Sequence, residues 1–280
     1  MFLAIVYTVA MLGFFDSGLG GLTVLKEVEK ELPQYSYIYL GDNARTPYGS
    51  HSHETIYRFT RQGVAHLFKK GAELVILACN TASSSALRRI QQEFLPKYYP
   101  QKRVLGVIIP TAEEVIAQTK TKEVGILATE ATVHSFAYPK EITKADEMIK
   151  VHQQAGTLLV PIIEAGEFEW EGLDLIIKKY LDELFERSKK IDTLVLACTH
   201  YSLIEDKIRK YTPSKIRIIS QGQIVAQKLK DYLMRHPDIE SRLEKGSGRQ
   251  FFSTEDSWRV RNLFKLFYGK PVKVKKIVLK

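Results

Sequence analysis

The stretch Val75-Ile76-Leu77-Ala78-Cys79-Asn80-Thr81-Ala82-Ser83 returns 119 residues later as Leu194-Val195-Leu196-Ala197-Cys198-Thr199-His200-Tyr201-Ser202. Aligned on the cysteine, each copy has an apolar run, then Ala-Cys, then polar residues, then Ser. An acid stands six residues before each cysteine, Glu73 in one copy and Asp192 in the other. The two copies hold both cysteines of the 280-residue chain. A short apolar run bounded by polar residues reads as a strand buried on both faces, as in a parallel sheet. In such sheets the ligand crevice lies outside the carboxyl ends of the strands. Each thiol is therefore expected at the lip of a strand, one per half-site.

Two plainer readings compete. Free cysteine is often just a small buried hydrophobe, and a pair of cysteines can form a disulfide. Nothing marks the oxidising compartment a disulfide requires, and the polar tail repeated after both cysteines speaks against each plainer reading.

The length suits one large or two medium domains. Hydrophobic content of 45% and charged content of 26% are those of an ordinary globular protein. The uncharged stretch from Met1 to Phe15 is too short to span a bilayer and lacks a basic n-region, so a cytoplasmic location is expected. The net charge of +9 invites a nucleic-acid reading. The densest basic run, however, is Lys270, Lys273, Lys275, Lys276 and Lys280, alternating with valine over 271–275 as in a charged edge strand. No nucleic-acid module appears, and neither nucleic acid nor membrane is expected as a partner.

Along the chain, Met11–Phe15 reads as a strand delivering Asp16-Ser17-Gly18-Leu19-Gly20-Gly21, with a helix from Leu22 to Leu32. Glycines after a strand let the backbone turn tightly and aim N–H groups at an anion. The spacing does not fit the dinucleotide pattern G-x-G-x-x-G. Asp16 beside such a loop suits a zwitterion, its ammonium near Asp16 and its carboxylate near the amides. Tyr35–Leu40 is the next strand, followed by Gly41-Asp42 and the polar loop Asn43 to Ser50. A helix over His53–Lys70 leads to the first cysteine strand. A helix from Thr81 to Phe94 then puts Cys79 at a helix N-terminus, where dipole and free amides favour a thiolate.

Pro96–Pro100 marks a boundary. Beyond it the expected elements are a strand at Val104–Ile109, a helix at Thr111–Gln118 and a strand at Glu123–Leu127. Helices at Tyr138–Lys150 and Leu173–Lys190 flank an apolar run, Leu158–Ile163, that ends in Glu164. After the second cysteine strand come a strand at Lys215–Ile219 and a helix at Gln223–Arg235. A charged loop or frayed helix (Ile239–Arg249), a strand at Gln250–Ser253, a helix at Ser257–Phe267 and a last strand close the chain. The alternation predicts an α/β fold of two similar, pseudosymmetric domains with parallel-rich sheets and a site in the cleft between them. The expected division is 1–100 plus 211–280, carrying Asp16 and Cys79, against 101–210, carrying Glu164, Cys198 and His200.

Thiolate metal sites want close pairs such as C-x-x-C and usually four ligands, and redox exchange also favours C-x-x-C. A cysteine hydrolase needs one Cys with a His and an orienting group. Cys198 with His200 imitates that but leaves Cys79 unexplained. Inverting a stereocentre needs a base on one face and an acid on the other, which two pseudosymmetric thiols supply. A free thiol titrates near about 8.5, so a thiolate and a thiol coexist near neutrality after modest tuning.

Four segments together resemble the glutamate racemase family. They are Phe15-Asp16-Ser17-Gly18-x-Gly20-Gly21, Gly41-Asp42-x-x-x-x-Pro47-Tyr48-Gly49, Ala78-Cys79-Asn80-Thr81-Ala82-Ser83 and Ala197-Cys198-Thr199-His200-Tyr201. The resemblance runs from Met11 to the last strand. It implies interconversion of L- and D-glutamate without cofactor or metal, supplying D-glutamate for peptidoglycan. It implies Cys79 and Cys198 as the acid/base pair, Asp16 and His200 each assisting a thiol, and Glu164 near the second. Ser17, Pro47, Tyr48, Gly49, Asn80, Thr81, Thr129, Thr132 and Thr199 would bind substrate with Asp16 and His200. The implied partner is glutamate, and a homodimer is left open. Ser202 stands where the family commonly has proline, Ala131 where it has glycine, and Ser220-Gln221-Gly222 where it has Asp-Ser-Gly. Since the family begins near Met11, residues 1–10 are expected to be an extension that buries little. Two other classes stay open: a racemase for aspartate or another acidic amino acid, and an idle relative that only binds an amino acid.

Overall fold

The computed structural model describes residues 10–280, so the expectation for the N-terminal extension falls on residues that, but for Ala10, lie outside the described ones. Among the described residues ten strands form two wholly parallel sheets. The first holds β1 (Met11–Asp16), β2 (Tyr37–Gly41), β3 (Ala72–Leu77), β4 (Arg103–Gly106), β9 (Arg249–Ser253) and β10 (Val274–Lys276), ordered β10-β9-β2-β1-β3-β4. The second holds β5 (Glu123–Ala128), β6 (Lys150–Ala155), β7 (Thr193–Ala197) and β8 (Arg217–Ile219), ordered β6-β5-β7-β8. The orders β2-β1-β3-β4 and β6-β5-β7-β8 are the same topology used twice. In each, the chain reverses its direction of travel beside the cysteine strand, β3 or β7, and such switch points are where parallel sheets bind ligands.

Side-chain alternation explains why these strands are apolar throughout. In β1, Leu12 and Phe14 enter one core cluster while Met11 and Phe15 enter another on the opposite face. In β7, Leu194 and Leu196 face one way, and Val195 and Ala197 the other. Helices cover both faces of the first sheet. Gly21–Glu31 brings Leu22, Leu25 and Val28 to one side, and His53–Lys69 brings Ile56, Val64 and Leu67 to the other. The cluster containing Leu12 and Phe14 also contains Leu194 and Leu196, so one continuous core joins the two sheets.

Two local expectations are corrected. The strand expected over Val104–Ile109 stops at Gly106, and a helix begins at Ile108. Pro110 lies in its first turn, where a missing N–H costs nothing. The apolar run Leu158–Ile163 supplies most of the helix Leu159–Ala165, again with a proline, Pro161, in the first turn. Leu159, Val160 and Ile163 are its buried residues, a helical rather than alternating spacing. A strand lies just before it: Lys150-Val151-His152-Gln153-Gln154-Ala155 pairs with β5 at the sheet edge, and the helix expected through Lys150 ends at Ala145. Sheet membership follows strand pairing rather than position along the chain. Residues 103–106 belong to the first sheet and 217–219 to the second, because each strand is the outer partner of the cysteine strand before it.

The two acids that precede the cysteines serve different ends. Glu73 pairs with Lys102 at 2.7 Å and Arg242 at 3.0 Å. Asp192 accepts from the backbone N–H groups of Lys120 (2.7 Å) and Thr121 (2.8 Å). Among the described residues no helix is long and apolar enough to cross a membrane.

Candidate active site

A cavity of about 80 Å³ lies at the carboxyl ends of both cysteine strands, and Cys79 and Cys198 both line it. Neither thiol is bonded to another cysteine, and both are buried. Ser17, Pro47, Tyr48, Gly49, Asn80, Thr81, Thr129, Thr199 and His200 line it too, so most of the residues singled out in the sequence converge here. Asp16, Glu164 and Thr132 stand behind this wall, reaching it through neighbours.

Cys79 caps the helix Asn80–Arg89, its sulfur 3.4 Å from the N–H of Ala82 and 3.3 Å from the Ser17 hydroxyl. Burial pushes this thiol up to about 12, and the Asp16 carboxylate adds to the rise against the two hydrogen bonds. Asp16 is wholly buried at the end of β1. Its Oδ2 accepts from the N–H of Gly18 at 2.9 Å, and its Oδ1 has no hydrogen-bond partner. Burial holds its carboxyl above the usual range despite the opposing His200 charge and the N–H groups of Gly18 and Gly21.

Cys198 is built differently. No α-helix starts directly after it; the chain runs through a tight 3₁₀ turn, Thr199–Ile204, before the helix Glu205–Tyr211, and the sulfur caps nothing. Instead its Sγ lies 3.8 Å from His200 Nδ1. His200 Nε2 lies 3.1 Å from Glu164 Oε1, which also accepts from the Thr46 hydroxyl at 3.4 Å. Burial alone would hold the His200 imidazole neutral, but its bonds to Cys198 and Glu164 outweigh that and raise it to about 10. Burial acts to raise Glu164, yet His200, Arg259 and Thr46 together hold it below the ordinary carboxylate range. The outcome is a cation beside one sulfur and no cation beside the other.

Polar groups from both halves close the cavity. The hydroxyls of Thr81, Thr129 and Thr132 form a triad, with Thr81 to Thr129 at 2.9 Å and Thr129 to Thr132 at 3.0 Å. Gly49 packs against Thr129, and a Cβ on Gly20 would collide with Thr199 Oγ1, so only glycine permits this approach of the β1 turn. Tyr48 spends its hydroxyl on Asp42 Oδ2 at 2.5 Å and presents the rest of the residue to the cavity. Asp42 also holds Arg45 and Thr254, making it a structural hub of this loop.

Sequence reasoning missed Thr46, Gly156, Thr157, Val160 and Pro161, all in the cavity wall. Thr157 stands just beyond the carboxyl end of β6, as Thr129 stands beyond β5, but β6 was not recognised as a strand. Val160 and Pro161 lie in an apolar run, Leu158–Ile163, that carries no polar side chain to mark a site. Among the described residues there is no group of three or more His, Cys, Asp or Glu able to hold a metal.

Two duplicated parallel sheets whose switch points close on one cavity define an α/β enzyme with its site between two halves. The chain belongs to the Asp/Glu/hydantoin racemase family, whose model matches residues 22–229, and so to a family of isomerases. A glutamate racemase of Jannaschia sp. is 40% identical over 252 residues, covering 86% of this chain and 90% of that protein. One from Aquifex aeolicus is 36% identical, covering 94% and 96%. Among solved structures, a glutamate racemase of Bacillus anthracis superposes with a TM-score of 0.88 at 30% identity, covering 98% of this chain and 99% of that one. That of Francisella tularensis, in complex with D-glutamate, gives 0.86 at 30% identity, covering 97% and 98%. An aspartate racemase of Picrophilus torridus shares the fold, with a TM-score of 0.52 at 17% identity, covering 80% and 94%.

Proposed function

We propose that this protein interconverts L- and D-glutamate by a two-thiol mechanism, with Cys79 and Cys198 as the exchanging acid and base. The observation that carries the reading is that two unbonded thiols, delivered by equivalent strands of two sheets, line one small cavity. Similarity to glutamate racemases over nearly the whole chain selects glutamate over aspartate.

In this reading one sulfur enters the cycle as thiolate and the other as thiol. The thiolate takes the α-proton as the Cα–H bond breaks, and its electron pair delocalises into the α-carboxylate. The opposite thiol then gives its proton to the other face of Cα, forming the enantiomer. The two sulfurs end with their protonation states exchanged. Cys79, held as a thiol by burial, suits the role of acid for the enantiomer whose proton goes to Cys198. Until that proton arrives, the His200 cation offsets the charge of the Cys198 thiolate. General acid–base groups so placed are each worth roughly 10²–10⁴ in rate. Asn80, Thr81, Thr129 and Thr199 supply donors for the substrate carboxylates, Thr132 braces Thr81 and Thr129 from behind, and Ser17, Pro47, Tyr48 and Gly49 shape the wall. Asp16, wholly buried behind the wall, acts through Cys79, whose thiol its charge raises.

The reading carries a division into two domains, 10–106 with 220–280 and 107–219, which hold Cys79 and Cys198 respectively. It carries a role in supplying D-glutamate to peptidoglycan, and a cytoplasmic location, where thiols stay reduced. The test is D-glutamate formation from L-glutamate by the purified protein with no cofactor added. Racemisation is expected; binding of glutamate without turnover would favour the idle relative, and turnover of aspartate alone would overturn the substrate.

A further inference from the structure

Gln221 opens the helix Gln221–Arg235, on the segment that carries the chain from β8 back toward the first sheet. It is buried and takes no part in the cavity wall, yet it is bonded to Asn80, which does. Asn80 Nδ2 donates to Gln221 Oε1 at 2.5 Å, and the Tyr138 hydroxyl donates to Asn80 Oδ1 at 2.7 Å. Gln221 Nε2 lies 2.7 Å from the Tyr138 oxygen, 2.8 Å from Thr111 Oγ1 and 3.1 Å from Asn80 Oδ1. An amide nitrogen has two hydrogens, and the two shortest contacts assign them to Tyr138 and Thr111. Asn80, Gln221 and Tyr138 thus close a ring in which each donates to the next.

The direction of that ring is fixed from outside it. Thr111 gives its own hydrogen to the carbonyl of Val107 at 2.7 Å, so its oxygen must accept from Gln221. Gln221 then presents Oε1 to Asn80, and Asn80 must answer with Nδ2; turning either amide alone would set oxygen against oxygen. One Nδ2 hydrogen of Asn80 is consumed and the other is left over, on a residue that lines the cavity beside Cys79.

From this geometry we infer that Gln221 is a positioning residue for substrate recognition: it locks the Asn80 amide so that an N–H, not a carbonyl oxygen, is offered to a substrate carboxylate. The inference rests on the proposed substrate being an acidic amino acid. It also gives a role to a glutamine standing where the resembled family pattern has serine. Because the ring joins residues after β3 to helices beside the second sheet, a fully bonded buried network of this kind holds its members to one arrangement.

The test is a double-mutant cycle on the full chain, read by steady-state kinetics and by calorimetric binding of D-glutamate. Gln221→Ala and Tyr138→Phe are each expected to raise KM and Kd about ten-fold, the weight of one charge-assisted hydrogen bond, with kcat far less affected. Asn80→Ala should weaken binding at least as much. If Gln221 acts through Asn80, the Asn80→Ala/Gln221→Ala pair binds within about two-fold of Asn80→Ala alone. Multiplying effects in the pair, or a fall in kcat with KM unchanged, would overturn the inference. Should Gln221→Ala fail to fold, Tyr138→Phe, which removes only one hydroxyl, decides by the same criterion. Wild-type protein that neither binds nor racemises glutamate would overturn the proposed function and this inference with it. An active wild type with a multiplicative cycle overturns the role of Gln221 alone.

Discussion

Cys79 and Cys198 occupy the same place on two sheets of the same topology, yet their surroundings share almost nothing. Cys79 is held by neutral donors, a serine hydroxyl and a helix N–H, with a buried acid behind them. Cys198 is held by a histidine that is held in turn by a glutamate, which also accepts from a threonine hydroxyl. The duplicated backbone delivers two sulfurs to one cavity, while the unduplicated side chains set the charge around each. A reaction that runs through mirror-related faces therefore does not require mirror-related chemistry. It requires two proton-transfer groups at matched positions, each tuned by whatever its own half supplies.

The bluntest way to break this comparison is to remove one sulfur. Cys79→Ser and Cys198→Ser are each expected to lower racemisation by at least about 10³-fold, because a hydroxyl is too weak an acid to serve near neutrality. The loss should be similar for both, despite their different settings, since either proton transfer alone cannot invert the centre. Near-normal D-glutamate formation by either variant would show that one half-site suffices.

Heavy water separates two proton-transfer groups from one without any mutation. Starting from L-glutamate, the D product is expected to carry solvent deuterium from the first turnover, while the recovered L pool stays unlabelled early on. The abstracted proton rests on its own sulfur, and the returned one comes from the other. Deuterium appearing in recovered L-glutamate at a comparable initial rate would point to a single shuttling base.

Much of this arrangement was legible beforehand, for a physical reason. Strands buried on both faces must be apolar throughout, so β1, β2, β3, β5 and β7 stand out in sequence. The same signal disappears at a sheet edge, where β6 carries His152, Gln153 and Gln154 and resembles a helix or loop. Short apolar runs containing proline are ambiguous in the other direction. Ile108–Pro110 and Leu159–Pro161 each open a helix because proline is tolerated in a first turn. Site residues on the polar tails of recognised strands were found. Thr157, on the tail of the unrecognised strand, was not. Gln221 was noticed only as a departure from a pattern; its bonds to Asn80, Thr111 and Tyr138 join segments that no local spacing relates.

The different settings of the two thiols should separate in isotope effects rather than in overall efficiency. Enantiomers have equal free energies in water, so kcat/KM must stay equal in the two directions for any variant. His200→Asn and Asp16→Asn are each expected to lower both values together, by about 10²-fold. They should differ in which step becomes slow. His200→Asn should raise the primary deuterium isotope effect for the enantiomer that Cys198 deprotonates, and Asp16→Asn for the other. Both variants enhancing the effect for the same enantiomer would mean that the two assistants serve one sulfur.

The smallest expected effect is on stability, and it comes from the half-site that carries the cation. His200 is raised from about 6.5 in the unfolded chain to about 10 in the folded one by Cys198 and Glu164, which together outweigh burial. A group whose folded pKa is raised binds its proton more tightly in the native state, so folding gains from it while both states are protonated. That gain is fully present below about pH 6.5 and is lost as pH rises through about 10. Cys79 works in the same direction at higher pH, because burial raises its thiol to about 12. Glu164, held low, contributes above the ordinary carboxylate range and is lost only in acid. The thermal midpoint of the wild-type protein is therefore expected to fall between pH 6.5 and 10, measured by calorimetry at constant ionic strength. His200→Gln should be less stable than wild type at pH 6 and should narrow that gap steadily as the pH approaches 10. Cys79→Ser should keep the wild-type slope up to about pH 8 and lose less stability than wild type above it, since the Cys79 contribution begins to be lost only as the pH passes the ordinary thiol value of 9.0. If His200→Gln follows the wild-type profile at a constant offset, the imidazole is not carrying a charge in the folded protein, and the contrast between a cationic and a neutral half-site fails.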